Sequence, residues 1–230
     1  MNFTLSFAAR AAGAPPPAED ADLSGACIDS REAGPGKLFF ALAGTRADGH
    51  DFVGEVLASG GSAVVSREGW SGRVVRVGDV GGAMLEVARA IREGWRDRAG
   101  GSGGPRTVIG VTGSNGKTTT RHLIEMALSP SMRTGGTCGN LNNHIGLPLS
   151  VMNLDPKAEA AVLEAGMNHE GELRRLGRVM APDVSVVTCI GRAHIEYFGS
   201  LEAVARAKAE LLEETAPGGL CFVPPGWSAL

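Results

Sequence analysis

Residues Gly113 to Thr119 read Gly-Ser-Asn-Gly-Lys-Thr-Thr, after the apolar run 107–112 and before the helix-like stretch 121–128. A strand, a glycine loop and a helix in that order suit phosphate chemistry. Glycines let backbone N–H groups close round phosphates, and the helix N-terminus adds its partial positive charge. In such a loop Lys117 reaches the terminal phosphates and Thr118 is placed to hold Mg²⁺. ATP or GTP is the expected ligand, with Gly113, Ser114, Asn115, Gly116, Lys117, Thr118 and Thr119 as its contacts. A surface turn that happens to contain Gly-Lys-Thr is the plainer alternative. The spacing is unusual: two residues separate Gly113 from Gly116 and five separate Gly110 from Gly116, where the ordinary phosphate loop has four. A generic kinase or GTPase fits less well.

Ligands of an open parallel sheet bind beyond the carboxyl ends of its strands, so the residues closing each apolar run carry the next candidates. Glu164 ends the run 160–163 and is placed to bind a nucleotide's Mg²⁺, or else to be a solvated strand-end acid. His194 follows the run 184–189 near the same rim and is a candidate for metal or catalysis, although a lone histidine is more often structural. Lys208 falls on the apolar stripe of Leu201, Val204, Ala205, Leu211 and Leu212. Burial would lower its pKa and leave an amine able to take up CO₂ as a carbamate. A packed stem with the ammonium reaching water is the commoner outcome. Asn140, Asn142 and Asn143 lie in a Gly- and Asn-rich segment that reads equally as a structural turn or as amides for sugars, carboxylates and phosphates.

The elements that must position these residues fall in two groups. The run 99–105, Ala-Gly-Gly-Ser-Gly-Gly-Pro, is the strongest break and the expected linker. Before it, in residues 1–98, short strands at 37–42, 62–66 and 73–77 with helices at 52–59 and 83–98 predict a small α/β domain. The segment 1–10 reads as a short strand or helix; Arg10 within its apolar stretch argues against a secretion signal. After it, in 106–230, strands at 107–112, 160–164 and 184–189 alternate with helices at 118–128, 170–180 and 200–215, predicting a parallel sheet covered on both faces.

Composition narrows the partners. The chain has 230 residues, 43% of them hydrophobic, ample for buried cores, and a formal charge of −3 with scattered basic residues. Neither a nucleic-acid surface nor an anionic membrane is indicated. No apolar run reaches the length of a membrane span. Cys27, Cys138, Cys189 and Cys221 show no paired spacing, which argues against a zinc site and for reduced thiols in the cytoplasm, most of them buried.

The residues at this point resemble the Mur ligase family, ATP-dependent amide ligases of peptidoglycan synthesis. Segment 110–119 is similar to that family's short phosphate loop, and 139–148, 164–171 and 193–200 look like its dipeptide-adding member. Segments 29–31, 36–41 and 48–52 resemble the uridine-nucleotide-binding N-terminal domain, which the member adding the third stem-peptide residue shares. The likeness runs to about residue 215. It implies a UDP-sugar-binding N-terminal domain, with Ser30, Arg31 and His50 as contacts, although Arg31 and His50 also read as fold residues. It implies a central ATPase domain in which Lys117, Glu164, His194 and Lys208 are catalytic and Thr118, Glu164, His194 and a carbamylated Lys208 hold Mg²⁺.

The implied reaction joins UDP-N-acetylmuramoyl tripeptide to D-alanyl-D-alanine through an acyl phosphate, in a cytoplasmic monomer that neither binds nucleic acid nor inserts in membranes. Family members of this type continue well past the length of this chain, whose 221–230 segment does not follow the family pattern. A partial central domain is therefore expected. The alternatives are the ligase that adds the third residue and a truncated, non-catalytic UDP-sugar- or ATP-binding homologue.

Overall fold

Runs of apolar residues without alternation suit strands that are covered on both faces, and this chain uses them to build two parallel sheets. The structure, a computed structural model, describes residues 1–45, 47–97, 105–137, 139–192 and 195–227. Its contacts divide the chain into two units, Met1–Ile91 and Arg92–Leu230.

The first unit opens with β1 (Phe3–Thr4) and α1 (Leu5–Ala11), where Thr4 Oγ1 caps the helix by accepting from Phe7 N at 3.1 Å. Then come β2 (Asp22–Leu23), β3 (Gly25–Cys27), β4 (Lys37–Phe40), α2 (Val53–Ala58), β5 (Ser62–Val65), β6 (Val74–Arg76) and α3 (Val80–Arg96). Strands β3-β4-β5-β6 pair in that order, all parallel, while β1 pairs antiparallel with β2. Phe39, Ala63 and Val65 pack with Val53 and Val56 of α2, and the intervening Leu38, Phe40 and Val64 are buried on the opposite face by strand alternation. The unit division falls inside α3. Its last turn joins the second unit: Arg92 Nε donates to Val179 O at 3.0 Å, Arg96 donates to Ala181 O at 3.1 Å, and Trp95 is buried beneath the Arg106 guanidinium. Residue 98 and residues 99–104 of the expected linker lie outside the described residues.

The second unit runs β7 (Thr107–Thr112), α4 (Lys117–Leu128), β8 (Thr134–Gly136), α5 (Gly146–Met152), β9 (Ala160–Glu164), α6 (Glu172–Met180), β10 (Val184–Val187), α7 (Ile195–Phe198), α8 (Leu201–Glu213) and β11 (Leu220–Phe222). Its sheet has the order β11-β10-β7-β9-β8, with every pairing parallel. Ile109, Val111 and Val162 face Ile124 and Leu128 of α4, whereas Gly110 faces Leu211 of α8, so helices cover both faces. The connection from β7 leads toward β8 and that from β9 toward β10, in opposite directions. Between β7 and β9 the topology therefore opens a crevice beyond the strand ends.

Several features differ from the sequence expectation. The segment 139–148 is not wholly loop: α5 begins at Gly146, with Pro148 in its first turn, where a missing N–H costs nothing. Strand β8 forms from Thr-Gly-Gly because β9 offers a pairing edge. Cys189 is half-buried in the loop after β10 and Cys221 is exposed on β11, so of the described cysteines only Cys27 is a core residue; Cys138 lies outside the described residues. No helix among the described residues is long and apolar enough to cross a membrane.

Candidate functional site

Strand β7 delivers the glycine loop to the crevice. Gly113 adopts φ of +152°, and a methyl group there would collide with Thr188 Oγ1; Gly116 adopts φ of +77° and starts α4 from the left-handed region. The loop is stapled to the segment after β10. Ser114 N donates to Cys189 O at 2.9 Å, Ser114 Oγ exchanges hydrogen bonds with Gly191, Asn115 N donates to Cys189 Sγ at 3.2 Å and Thr188 Oγ1 donates to Asn115 O. These contacts hold the first-turn N–H groups of Lys117, Thr118 and Thr119, which have no intrahelical partner, at the mouth of the crevice.

Across the crevice, Glu164 closes β9 and is only 1% exposed, which rules out the solvated strand-end acid. Its backbone N donates to Thr137 Oγ1 at 2.9 Å. Its carboxylate accepts from Asn142 Nδ2 at 2.7 Å and from Thr118 Oγ1 at 2.9 Å, so residues from three separate segments converge on one buried anion. Asn143 Oδ1 instead accepts from Ile145 N and Gly146 N and caps α5. Asn140 O accepts from Asn142 N, so the asparagine-rich segment is at once a turn and the support of Glu164.

Lys208 is 2% exposed, contrary to the solvent-reaching outcome. Burial first, and the charge of Lys117 second, push its pKa down to about 8. Helix α8 is fixed in place from both ends. Ser200 Oγ accepts from Ala203 N, and the buried Glu210 carboxylate accepts from Gly171 N at 2.7 Å and Arg174 N at 3.0 Å, capping the neighbouring α6. A cavity of about 480 Å³ is lined by Gly113, Lys117, Asn142, Gly166, Arg175 and Lys208, among others. Arg174 and Arg178 pair with Glu213 and Glu214, whereas Arg175 has no ion pair among the described residues. Three cations thus face a space whose one lining carboxylate, Glu172, is engaged by the N–H groups of Asn168 and His169. The cavity suits an anion. Lys117 Nζ meanwhile donates to Gly113 O at 3.0 Å.

For a cation, Thr118 and Glu164 supply hard oxygen donors of the kind Mg²⁺ prefers. Among the described residues no group of three or more His, Cys, Asp or Glu could hold an ion. His194 lies outside the described residues.

Ser30, Arg31 and His50 belong to the first unit. Ser30 and Arg31 sit in a 3₁₀ turn capped by Asp29, and the exposed Arg31 guanidinium bonds the Asp29 carboxylate, holding its pKa down to about 2. His50 is 4% exposed with both ring nitrogens engaged, Nδ1 with Asp48 Oδ1 at 2.7 Å and Nε2 accepting from Ser66 N at 3.0 Å, so it has no ring nitrogen left for a ligand. Of the two readings of His50, the fold residue is the one its contacts match.

A family model described as Mur ligase middle domain matches residues 111–225, and one described as Mur ligase family, catalytic domain, matches 22–90. The chain belongs to the Mur ligase family. Its relatives include the UDP-N-acetylmuramoyl-tripeptide--D-alanyl-D-alanine ligases of Bacillus subtilis (strain 168), 38% identical over 89% of this chain and 44% of that protein, and of Escherichia coli (strain K12), 35% identical over the same shares. Among solved structures, MurF from Acinetobacter baumannii superposes with a TM-score of 0.87 at 32% identity, covering 98% of this chain and 49% of that one. MurF ligase from Thermotoga maritima in complex with ADP gives a TM-score of 0.77 at 32% identity, over 86% of this chain and 44% of that one. The chain spans less than half the length of these Mur ligases. Sequence reasoning passed over Arg121, Thr137 and Arg175, whose types on a helix or strand edge read as solvated surface.

Proposed function

We propose that this chain carries the nucleotide and UDP-substrate sites of an ATP-dependent ligase that joins UDP-N-acetylmuramoyl tripeptide to D-alanyl-D-alanine. Thr118 and Asn142 converging on buried Glu164, beside Lys117 and buried Lys208, is the observation that carries this reading. The first-turn N–H groups of α4 and Lys117 receive the β- and γ-phosphates, and Arg175 keeps the cavity wall positive for anionic substrates. Thr118 and Glu164 would hold Mg²⁺, with His194 and carbamylated Lys208 completing the set; the metal supplies neutralisation of phosphate charge. Carbamylation needs no oxidant: the neutral Nζ of Lys208 attacks CO₂, the N–C bond forms and one proton leaves, and the new anion turns repulsion from Lys117 into attraction.

In the ligation a carboxylate oxygen of the tripeptide bonds to the γ-phosphorus as ADP leaves. The dipeptide amine then bonds to the acyl carbon and gives up a proton, and inorganic phosphate leaves with the C–O electron pair. A site of glycines, one phosphate-facing lysine and oxygen ligands suits a reaction that asks chiefly for positioning and charge neutralisation. In the first unit, Ser30 and Arg31 offer a hydroxyl and an exposed guanidinium to the uridine diphosphate, while His50 shapes that unit from within. A cytoplasmic monomer fits this role. The test is calorimetric: ADP should bind, Mg²⁺ should tighten it, and Glu164→Gln should remove the tightening. An absence of ADP binding, with the fold intact by circular dichroism, would end this reading.

A further inference from the structure

Arg121 lies three residues beyond Thr118 on α4, and so on the same helix face. Its side chain is 11% exposed, unusual for an arginine on a helix surface. One end is anchored: NH1 donates to Glu125 Oε1 at 2.7 Å. Gly136 leaves room for that carboxylate, since any side chain there would collide with Glu125 Oε1. The Nε atom is different. It is buried, bonds to nothing among the described residues and stands 3.9 Å from Glu164 Oε2, beyond hydrogen-bond reach.

The other donors to Glu164 explain what such a group can do. Oε1 is held by Asn142 and Oε2 by the hydroxyl proton of Thr118. If Thr118 and Glu164 share one cation, as the functional reading above requires, the Thr118 oxygen must turn a lone pair to that cation. Its proton then leaves the space between the two oxygens. Oε2 exchanges that donor for the cation, which leaves its second lone pair open to a new donor in a buried setting. A carboxylate oxygen has two lone pairs, one for a cation and one for a donor, and Arg121 Nε is the unused donor beside it.

We propose that Arg121 is a positioning residue for the metal site: its Nε–H takes over the hydrogen bond to Glu164 Oε2 when Thr118 turns to the cation. The inference rests on the metal reading of Thr118 and Glu164, and the experiment separates the two. ADP affinity is measured by calorimetry with and without saturating Mg²⁺, and the ratio reports the coupling of metal to nucleotide. Glu164→Gln tests the metal reading and should bring the ratio to one.

Arg121→Leu should cut the ratio by at least about fivefold while leaving ADP affinity without Mg²⁺ nearly unchanged. Arg121→Gln places an amide N–H donor on the same side-chain position as Nε, without charge, and should restore most of the ratio. Glu125→Gln loosens the guanidinium's other partner and should leave the ratio near the parent's, which a purely structural role for the Arg121–Glu125 pair would not predict. A parental ratio in Arg121→Leu overturns the proposal. Should that variant fail to fold, a folded Arg121→Gln with a collapsed ratio overturns it equally. A parental ratio in Glu164→Gln overturns the metal reading, and the Arg121 assignment falls with it.

Discussion

Both units bury polar side chains near the ends of parallel strands, yet they treat them in opposite ways. In the first, His50 has Asp48 on one ring nitrogen and Ser66 on the other, and Asp48 also pairs with Arg67. Each group is matched inside the fold. In the second, Lys208 is buried with no hydrogen bond or ion pair among the described residues, and Thr112 Oγ1 and Arg121 Nε are buried without partners. Unmatched buried polar groups are expensive, and folds retain them where a ligand or ion completes them. Burial by itself therefore separates nothing, and neither does one unpartnered atom, since Trp95 Nε1 on α3 is also buried without a hydrogen bond; what sets the crevice apart from the His50 cluster is that several such groups gather round its loop and strand ends.

The contrast breaks first at Lys208. Its pKa is about 8 folded against 10.5 for an ordinary lysine, so below pH 8 the folded state carries a charge that burial disfavours. Between those values the unfolded chain binds a proton that the folded one lacks, so stability rises with pH and the penalty is fully present below about 8. Lys208→Met should raise stability near neutral pH by about 3 kcal/mol in CO₂-free buffer and remove this rise. Urea melts across pH 7 to 11 read both, and a less stable methionine variant would mean that Lys208 is matched after all.

Lys117→Ala should weaken ADP binding by about 2 kcal/mol, roughly thirtyfold, because one charge-assisted phosphate contact is lost. Its melting temperature should stay at the parent's, a combination that calorimetry and thermal melts check together. His50→Ala should do the reverse, costing about 2 kcal/mol of stability by stranding the Ser66 N–H and emptying a buried site, with ADP affinity unmoved. A nucleotide defect there would join the two clusters functionally and spoil the comparison. Asn143→Ala is the smallest, about 1 kcal/mol for a lost cap on α5, and it sharpens the division of labour within the asparagine segment. Asn142→Ala should lower Mg²⁺ dependence of ADP binding, whereas Asn143→Ala should not.

The sheet was legible where apolar runs were continuous: 107–112 and 160–164 match β7 and β9 residue for residue. Glycine hid β8, since Thr-Gly-Gly has no side-chain pattern and is a strand only because β9 recruits it. Asparagine and proline hid α5, whose cap lies in a segment that reads as a turn. At the site, the loop and Glu164 followed from their places at strand ends. The depth of Lys208 did not, because a helical stripe gives the direction of a side chain and not how far its neighbours enclose it. The Arg121 environment was equally invisible: a charged residue on an amphipathic helix looks solvated until the adjacent strand, here at Gly136, is known to lack a side chain.

The cap that Glu210 places on α6 ties two parts of the cavity wall into one lever. Its carboxylate grips Gly171 N and Arg174 N, and Arg174 and Arg178 reach back to Glu213 and Glu214. Lys208 rides on the same helix, two residues away, while Gly166 and Arg175 ride on the other side of that grip. The cap and the two ion pairs therefore set the position of the buried amine and of the wall that carries Arg175 together, through one shared joint between α8 and the start of α6.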